Sequence, residues 1–205
     1  MAVKKYNSEK WKTNSTRHLD KNAMLEDIIQ TKYGDHSLIL YSDLANFEYL
    51  YQNYIKRSLE SLNEIILIST HYHPVTNIID SLRNTGVDID KYKKEGLIVV
   101  VESKKAYYSL SQEFVGIMIM TKMLLRRADK LGKTGVTIIS DMGLFLHTNR
   151  IDDLIKCERG LLSSIRDMKV KVLCCYNRSD FEVFIEYQMQ QNLLKTHNKV
   201  LLFPP

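Results

Sequence analysis

Residues 136–176 read VTIISDMGLFLHTNRIDDLIKCERGLLSSIRDMKVKVLCCY. An apolar run at 136–140 (VTIIS) is followed by an amphipathic stretch at 150–168 and a second apolar run at 170–176 (VKVLCCY). Apolar residues that follow one another, instead of alternating with polar ones, mark strands covered on both faces. Two such strands joined by a helix form a βαβ unit, which makes neighbouring strands parallel.

The same rhythm extends in both directions. Apolar runs recur at 37–41 (SLILY), 64–69 (EIILIS), 97–101 (LIVVV) and 200–203 (VLLF), with amphipathic stretches at 44–62, 74–84, 112–131 and 181–194. The expected fold class is therefore α/β, with a mainly parallel central sheet flanked by helices. A short helix within 19–32 is expected from Ala23, Met24, Ile28 and Ile29 on one face, capped by Asp20 and ended by Gly34. Pro74 suits a first helical turn, Gly86 and Gly132 suit left-handed helix ends, and Asp180 is placed to cap the last long helix. No repeat or Pro/Gly-rich linker divides the chain, so 19–205 reads as one domain preceded by a basic, loosely ordered arm at 1–18.

The formal charge is +5, from 29 Lys and Arg against 24 Asp and Glu among 205 residues. Residues 1–22 hold a surplus of four positive charges, which leaves the body at +1. A nearly neutral body gives nucleic acid little to bind, so any polyanion contact is expected at the arm. No apolar run reaches the roughly 20 residues a bilayer span needs, and 1–11 lacks a signal peptide's apolar core. Neither a membrane nor secretion is indicated, and the expected location is cytoplasmic. Cys157, Cys174 and Cys175 are odd in number and form no CxxC pair, which argues against disulfides and against a cysteine-based metal site.

In a parallel sheet, ligands bind beyond the carboxyl ends of the strands. Those ends carry Tyr41, His71, Tyr72, His73, Asp141 and Tyr176. A phosphate loop is absent: Ser42, Asp43, Leu44, Ala45, Asn46, Phe47 and Glu48 follow the first strand with no glycine and two carboxylates. Gly132-Lys133-Thr134 leads into a strand and not out of one, so it reads as a helix stop. Asp141 stands where RecA-like enzymes keep a magnesium ligand, but without a phosphate loop it reads as a cap for the next turn. His71 and His73, two apart on an extended chain, are expected to face one way; His36, Glu102 or Asp141 would have to join them to hold a metal. No metal and no cofactor are assigned. Nucleophile elbows, HExxH and GxGxxG are missing as well, so no catalytic residue is expected.

From about residue 36 to 203 the chain resembles the MEDS domain, a sensory module named for methanogens, methylotrophs and a dichloromethane-responsive regulator. The resemblance rests on His36 and Tyr41 in HSLILY, Gly86 and Gly96 around DIDKYKKEGLIVV, Tyr107, Asp141-Met142 in VTIISDMG, Cys157-Glu158, CCYN at 174–177, and His197. It implies a three-layer RecA/KaiC-like domain without a phosphate loop, acting as a non-catalytic sensor of a small organic ligand. It also implies a homo-oligomer, or a histidine kinase or transcriptional regulator as partner. His36, Tyr41, His71, His73, Tyr107, Asp141 and Tyr176 are the candidate ligand-binding residues. The alternative is a RecA/KaiC-like nucleotide-binding protein or degenerate ATPase.

Overall fold

The computed structural model describes residues 20–108 and 113–204; the arm expected at 1–18 lies outside them. Within the described residues, β1 (His36–Tyr41), β2 (Ile65–Thr70), β3 (Ile98–Glu102), β4 (Val136–Asp141), β5 (Val170–Asn177) and β6 (Lys199–Leu202) form one sheet. Its order is β3-β2-β4-β5-β1-β6 and every pairing is parallel. The apolar runs are these strands, shifted by no more than one residue at their ends.

Side chains alternate between two cores. Leu38, Leu40, Ile65, Leu67, Val136, Ile138, Val172 and Cys174 face one side. That side is covered by α5 (Ser103–Tyr108), α6 (Glu113–Lys130), α7 (Gly143–His147), α8 (Ile151–Ser164), α9 (Arg178–Phe184) and α10 (Tyr187–Lys195). Ile39, Tyr41, Ile66, Ile68, Ile139, Leu173 and Cys175 face the other side. There lie α1 (Lys21–Ile29), α2 (Leu44–Arg57, closed by a π-helical turn at Ser58–Leu62), α3 (Val75–Asn84) and α4 (Ile89–Glu95). Each fully buried Leu or Ile contributes about 1.5–3 kcal/mol, so both faces are needed to hold the sheet.

The punctuation mostly acts as expected. Asp20 caps α1 through the Ala23 N–H, and Gly34, Gly86 and Gly132 all take positive φ. Pro74 is the residue just before α3. The expected helix at 181–194 is instead two. Ile185 is extended, and the Gln190 amide donates to the carbonyls of Phe181 and Ile185 at 3.2 and 2.7 Å. Asn177, not Asp180, caps α9, accepting from the N–H groups of Ser179 and Asp180. Asp180 is thereby free to reach across to the strand ends.

Candidate functional site

Asp141 closes β4 fully buried, on the α1–α4 face. Its Oδ2 accepts the backbone N–H of His71 at 2.8 Å and of Tyr72 at 2.9 Å, and its Oδ1 accepts that of Gly143 at 3.0 Å. Burial pushes its carboxyl above the ordinary range, while the three N–H groups and His73 pull it back. Two of these bonds bend the chain after β2, so His71 and His73 do not face one way. The His71 ring meets His147, and the His73 ring lies between Phe47 and Tyr51. The Thr70 hydroxyl, donating to the His73 carbonyl at 2.6 Å, fixes the bend.

Two groups of polar atoms result. One is a half-exposed relay: His71 Nε2 lies 3.0 Å from His147 Nδ1, His147 Nε2 lies 3.0 Å from Asp180 Oδ2, and the Tyr72 hydroxyl donates to the same oxygen. It ties together the end of β2, the end of α7 and the start of α9. Gly143 permits this approach, since a Cβ there would lie 2.4 Å from the Tyr72 ring. The second group surrounds Phe47. Tyr41 stacks on Phe47 at 4.9 Å, and Tyr41 Oη, His73 Nδ1 and Asn46 Oδ1 are buried with no hydrogen-bond partner among the described residues. Beside them, Thr70, His71, Tyr72, His73, Pro74, Glu102 and Lys104 line a cavity of about 300 Å³.

Of the seven candidate residues, Tyr41, His71, His73 and Asp141 thus stand at the strand ends on this side. Their mutual influence is visible in Tyr41, whose phenol is pushed up by burial first and by the Asp141 charge second. His36, Tyr107 and Tyr176 lie in the opposite core. Tyr107 packs on Phe145 and donates to Met142 Sδ at 3.5 Å. His36 opens β1 instead of closing it, and with Tyr176 it belongs to a wholly buried polar cluster. Glu158 of α8 is the centre of that cluster. Its Oε2 lies 2.7 Å from His36 Nε2, 3.4 Å from His197 Nε2 and 3.4 Å from Cys174 Sγ, and its Oε1 accepts the Tyr176 hydroxyl. Burial alone would raise the Glu158 carboxyl, but the two imidazoles outweigh it and hold the carboxyl well below the usual range. The same burial and the Glu158 charge push the Cys174 thiol and the Tyr176 phenol up. Of this cluster, sequence reasoning selected His36 and Tyr176 as ligand candidates and quoted Glu158, Cys174 and His197 without a role; of the relay, it missed His147 altogether.

At the start of α2, where a phosphate loop would deliver its anion, the helix amides already have a carboxylate. Asp43 accepts the Asn46 N–H at 2.8 Å and the Ser42 hydroxyl at 3.0 Å, and these bonds hold its carboxyl below the ordinary range. A phosphate there would meet a negative charge in place of free donors.

The architecture is similar to two solved structures. An uncharacterized protein from Pyrococcus horikoshii in complex with an unknown peptide superposes with a TM-score of 0.64 at 13% identity, over 88% of this chain and 82% of the other. A KaiC-like protein from the hyperthermophilic archaeon Pyrococcus horikoshii OT3 superposes with a TM-score of 0.54, also at 13% identity, over 83% of this chain and 71% of the other. At that identity the likeness concerns the fold, which is KaiC-like. No curated protein matches the chain in sequence. No helix among the described residues is long and apolar enough to cross a membrane. The family model for the MEthanogen/methylotroph, DcmR Sensory domain matches residues 35–198, which span β1 to β5 and end just before β6. The chain belongs to the MEDS family of sensory domains.

Proposed function

We propose that this domain senses a small polar organic molecule held at the carboxyl ends of β1, β2 and β4. The observation that carries the reading is the set of unpartnered buried atoms around Phe47, chiefly Tyr41 Oη and His73 Nδ1. Leaving such groups unsatisfied costs roughly 1–3 kcal/mol each, and a ligand with a hydroxyl, amine or carboxylate recovers it. The adjacent cavity is at the small end of ligand sites, which run from roughly 300 to 1,000 Å³. The His71–His147–Asp180–Tyr72 relay borders it through His71 and Tyr72, so a bound molecule would bias the seating of α7 and α9. That shift would be read out by self-association or by a partner such as a histidine kinase or a transcriptional regulator. A nucleotide is the weaker reading because Asp43 occupies the amides a phosphate needs.

One experiment tests both readings. Methanol, methylamine, formate, acetate and magnesium-ATP are titrated against the protein, following melting temperature and sedimentation. At least one of the carbon compounds should raise the melting temperature, and Tyr41→Phe and His73→Ala should each weaken the response about tenfold, the loss of one hydrogen bond of 1.4 kcal/mol. A response to magnesium-ATP alone, or one indifferent to both substitutions, would overturn the proposal.

A further inference from the structure

The buried polar cluster in the α5–α10 core is separate from the ligand reading above and brings four metal-ligating side chains together. His36 Nε2, Glu158 Oε2, Cys174 Sγ and a ring nitrogen of His197 lie within 4.8 Å of one another, and all four side chains are buried. Their orientation is the telling feature. His36 Nδ1 faces the Thr196 carbonyl at 3.1 Å and His197 Nδ1 faces the Leu193 carbonyl at 2.7 Å. A carbonyl accepts only, so both rings carry a proton on Nδ1 and turn Nε2 inward. Metal-binding histidines are commonly oriented this way, with the second nitrogen tied to a carbonyl. Inward, both Nε2 atoms face the one Glu158 carboxylate. His197 Nε2 in particular has no hydrogen-bond partner among the described residues. The two rings lie side by side with centroids 4.0 Å apart.

We propose that His36, Glu158, Cys174 and His197 bind one zinc ion in a closed, tetrahedral, structural site. Two neutral imidazoles, one carboxylate and one thiolate around a dication give zero net charge, which is what a fully buried position tolerates. Binding converts the Cys174 thiol to thiolate, and its proton leaves to solvent. Zinc bonds of about 2.0–2.3 Å give ligand separations of about 3.3–3.7 Å in a tetrahedron. The distances of 3.3 Å from His36 Nε2 to Cys174 Sγ, and of 3.4 Å from Glu158 Oε2 to both Cys174 and His197, already fit. The 2.7 Å His36–Glu158 separation has to open by about 0.6 Å, and the remaining separations to His197, within 4.8 Å, have to close onto the ion. The Tyr176 hydroxyl, donating to the other Glu158 oxygen, would position the carboxylate.

The test uses the full chain produced in zinc-supplemented medium and dialysed exhaustively. Elemental analysis should find one zinc per chain. Cys174→Ser and His197→Gln should lose it, while Cys175→Ala, whose side chain faces the opposite core, should keep it. Tyr176→Phe should weaken binding about tenfold. A folded, zinc-free protein, or equal zinc content in Cys174→Ser, would overturn the proposal. Should the ligand variants fail to fold, X-ray absorption on the native protein decides: one sulfur with three nitrogen or oxygen neighbours supports the site, and a sulfur-free zinc overturns it.

Discussion

His71 faces a second imidazole, His147, at 3.0 Å, and His147 in turn lies 3.0 Å from Asp180. Burial lowers the His71 pKa from 6.5, the His147 charge lowers it further, and Asp180 opposes them only in part. The folded state therefore binds a proton at this ring less readily than the unfolded chain does. The stability tied to neutral His71 is fully present above pH 6.5 and is lost as the pH falls from there toward the depressed value. The denaturant midpoint of the wild type should accordingly drop between pH 8 and pH 5, and His71→Gln should flatten that slope. In NMR titrations the His71 ring should change charge below 6.5, and His147→Gln should move it upward. An unchanged slope in His71→Gln would remove this ring from the pH response. At this scale the sequence was informative only about position. Tyr41, His71, His73 and Asp141 were found because strand ends can be read from apolar runs. His147 was not, because the five-residue α7 has too little length to show a period.

Elements were legible in proportion to how much of themselves they bury. The strands, enclosed on both faces, betray themselves as unbroken apolar runs, and α2, α3, α6 and α8 as amphipathic stretches. α4, with the sequence IDKYKKE, buries only Ile89 and carries mostly charge, so it gave no apolar period. The break between α9 and α10 was hidden for another reason: it is stabilised by a side chain several residues downstream. Gln190 is buried and donates to the Phe181 and Ile185 carbonyls that a continuous helix would have bonded itself. Removing it leaves those carbonyls unsatisfied in the core, a loss of roughly 1–3 kcal/mol. Gln190→Ala should therefore lower unfolding free energy by about 2 kcal/mol, and amide exchange should accelerate first in α9. Because α9 carries Asp180, the same variant should disturb the His147 resonance. Exchange that stays uniform across the domain would mean that the break is held by something other than Gln190.

For the whole molecule, the parallel α/β class follows from one βαβ stretch, but the strand order does not, since crossovers between non-neighbouring strands leave no local trace. That order is what brings His36 of β1 beside Cys174 of β5, and so assembles a cluster whose members are far apart in sequence. Charge is also a property of the whole chain. The surplus of four on residues 1–22 leaves a body of +1. On that body many exposed cations are already matched, Arg57 with Glu26, Arg83 with Asp80 and Asp90, and Arg178 with Glu182. Polyanion affinity should then reside in the N-terminal segment, where several lysines act together, and fall steeply with salt. Deleting residues 1–18 should abolish retention on heparin at low ionic strength while leaving the melting temperature unchanged. Retention that survives the deletion would move the contact to the lysines and arginines of α6 near Met123 and Leu131, where Arg126, Arg127 and Lys130 line a surface depression. An Arg126→Glu, Lys130→Glu double variant would then decide between the two surfaces.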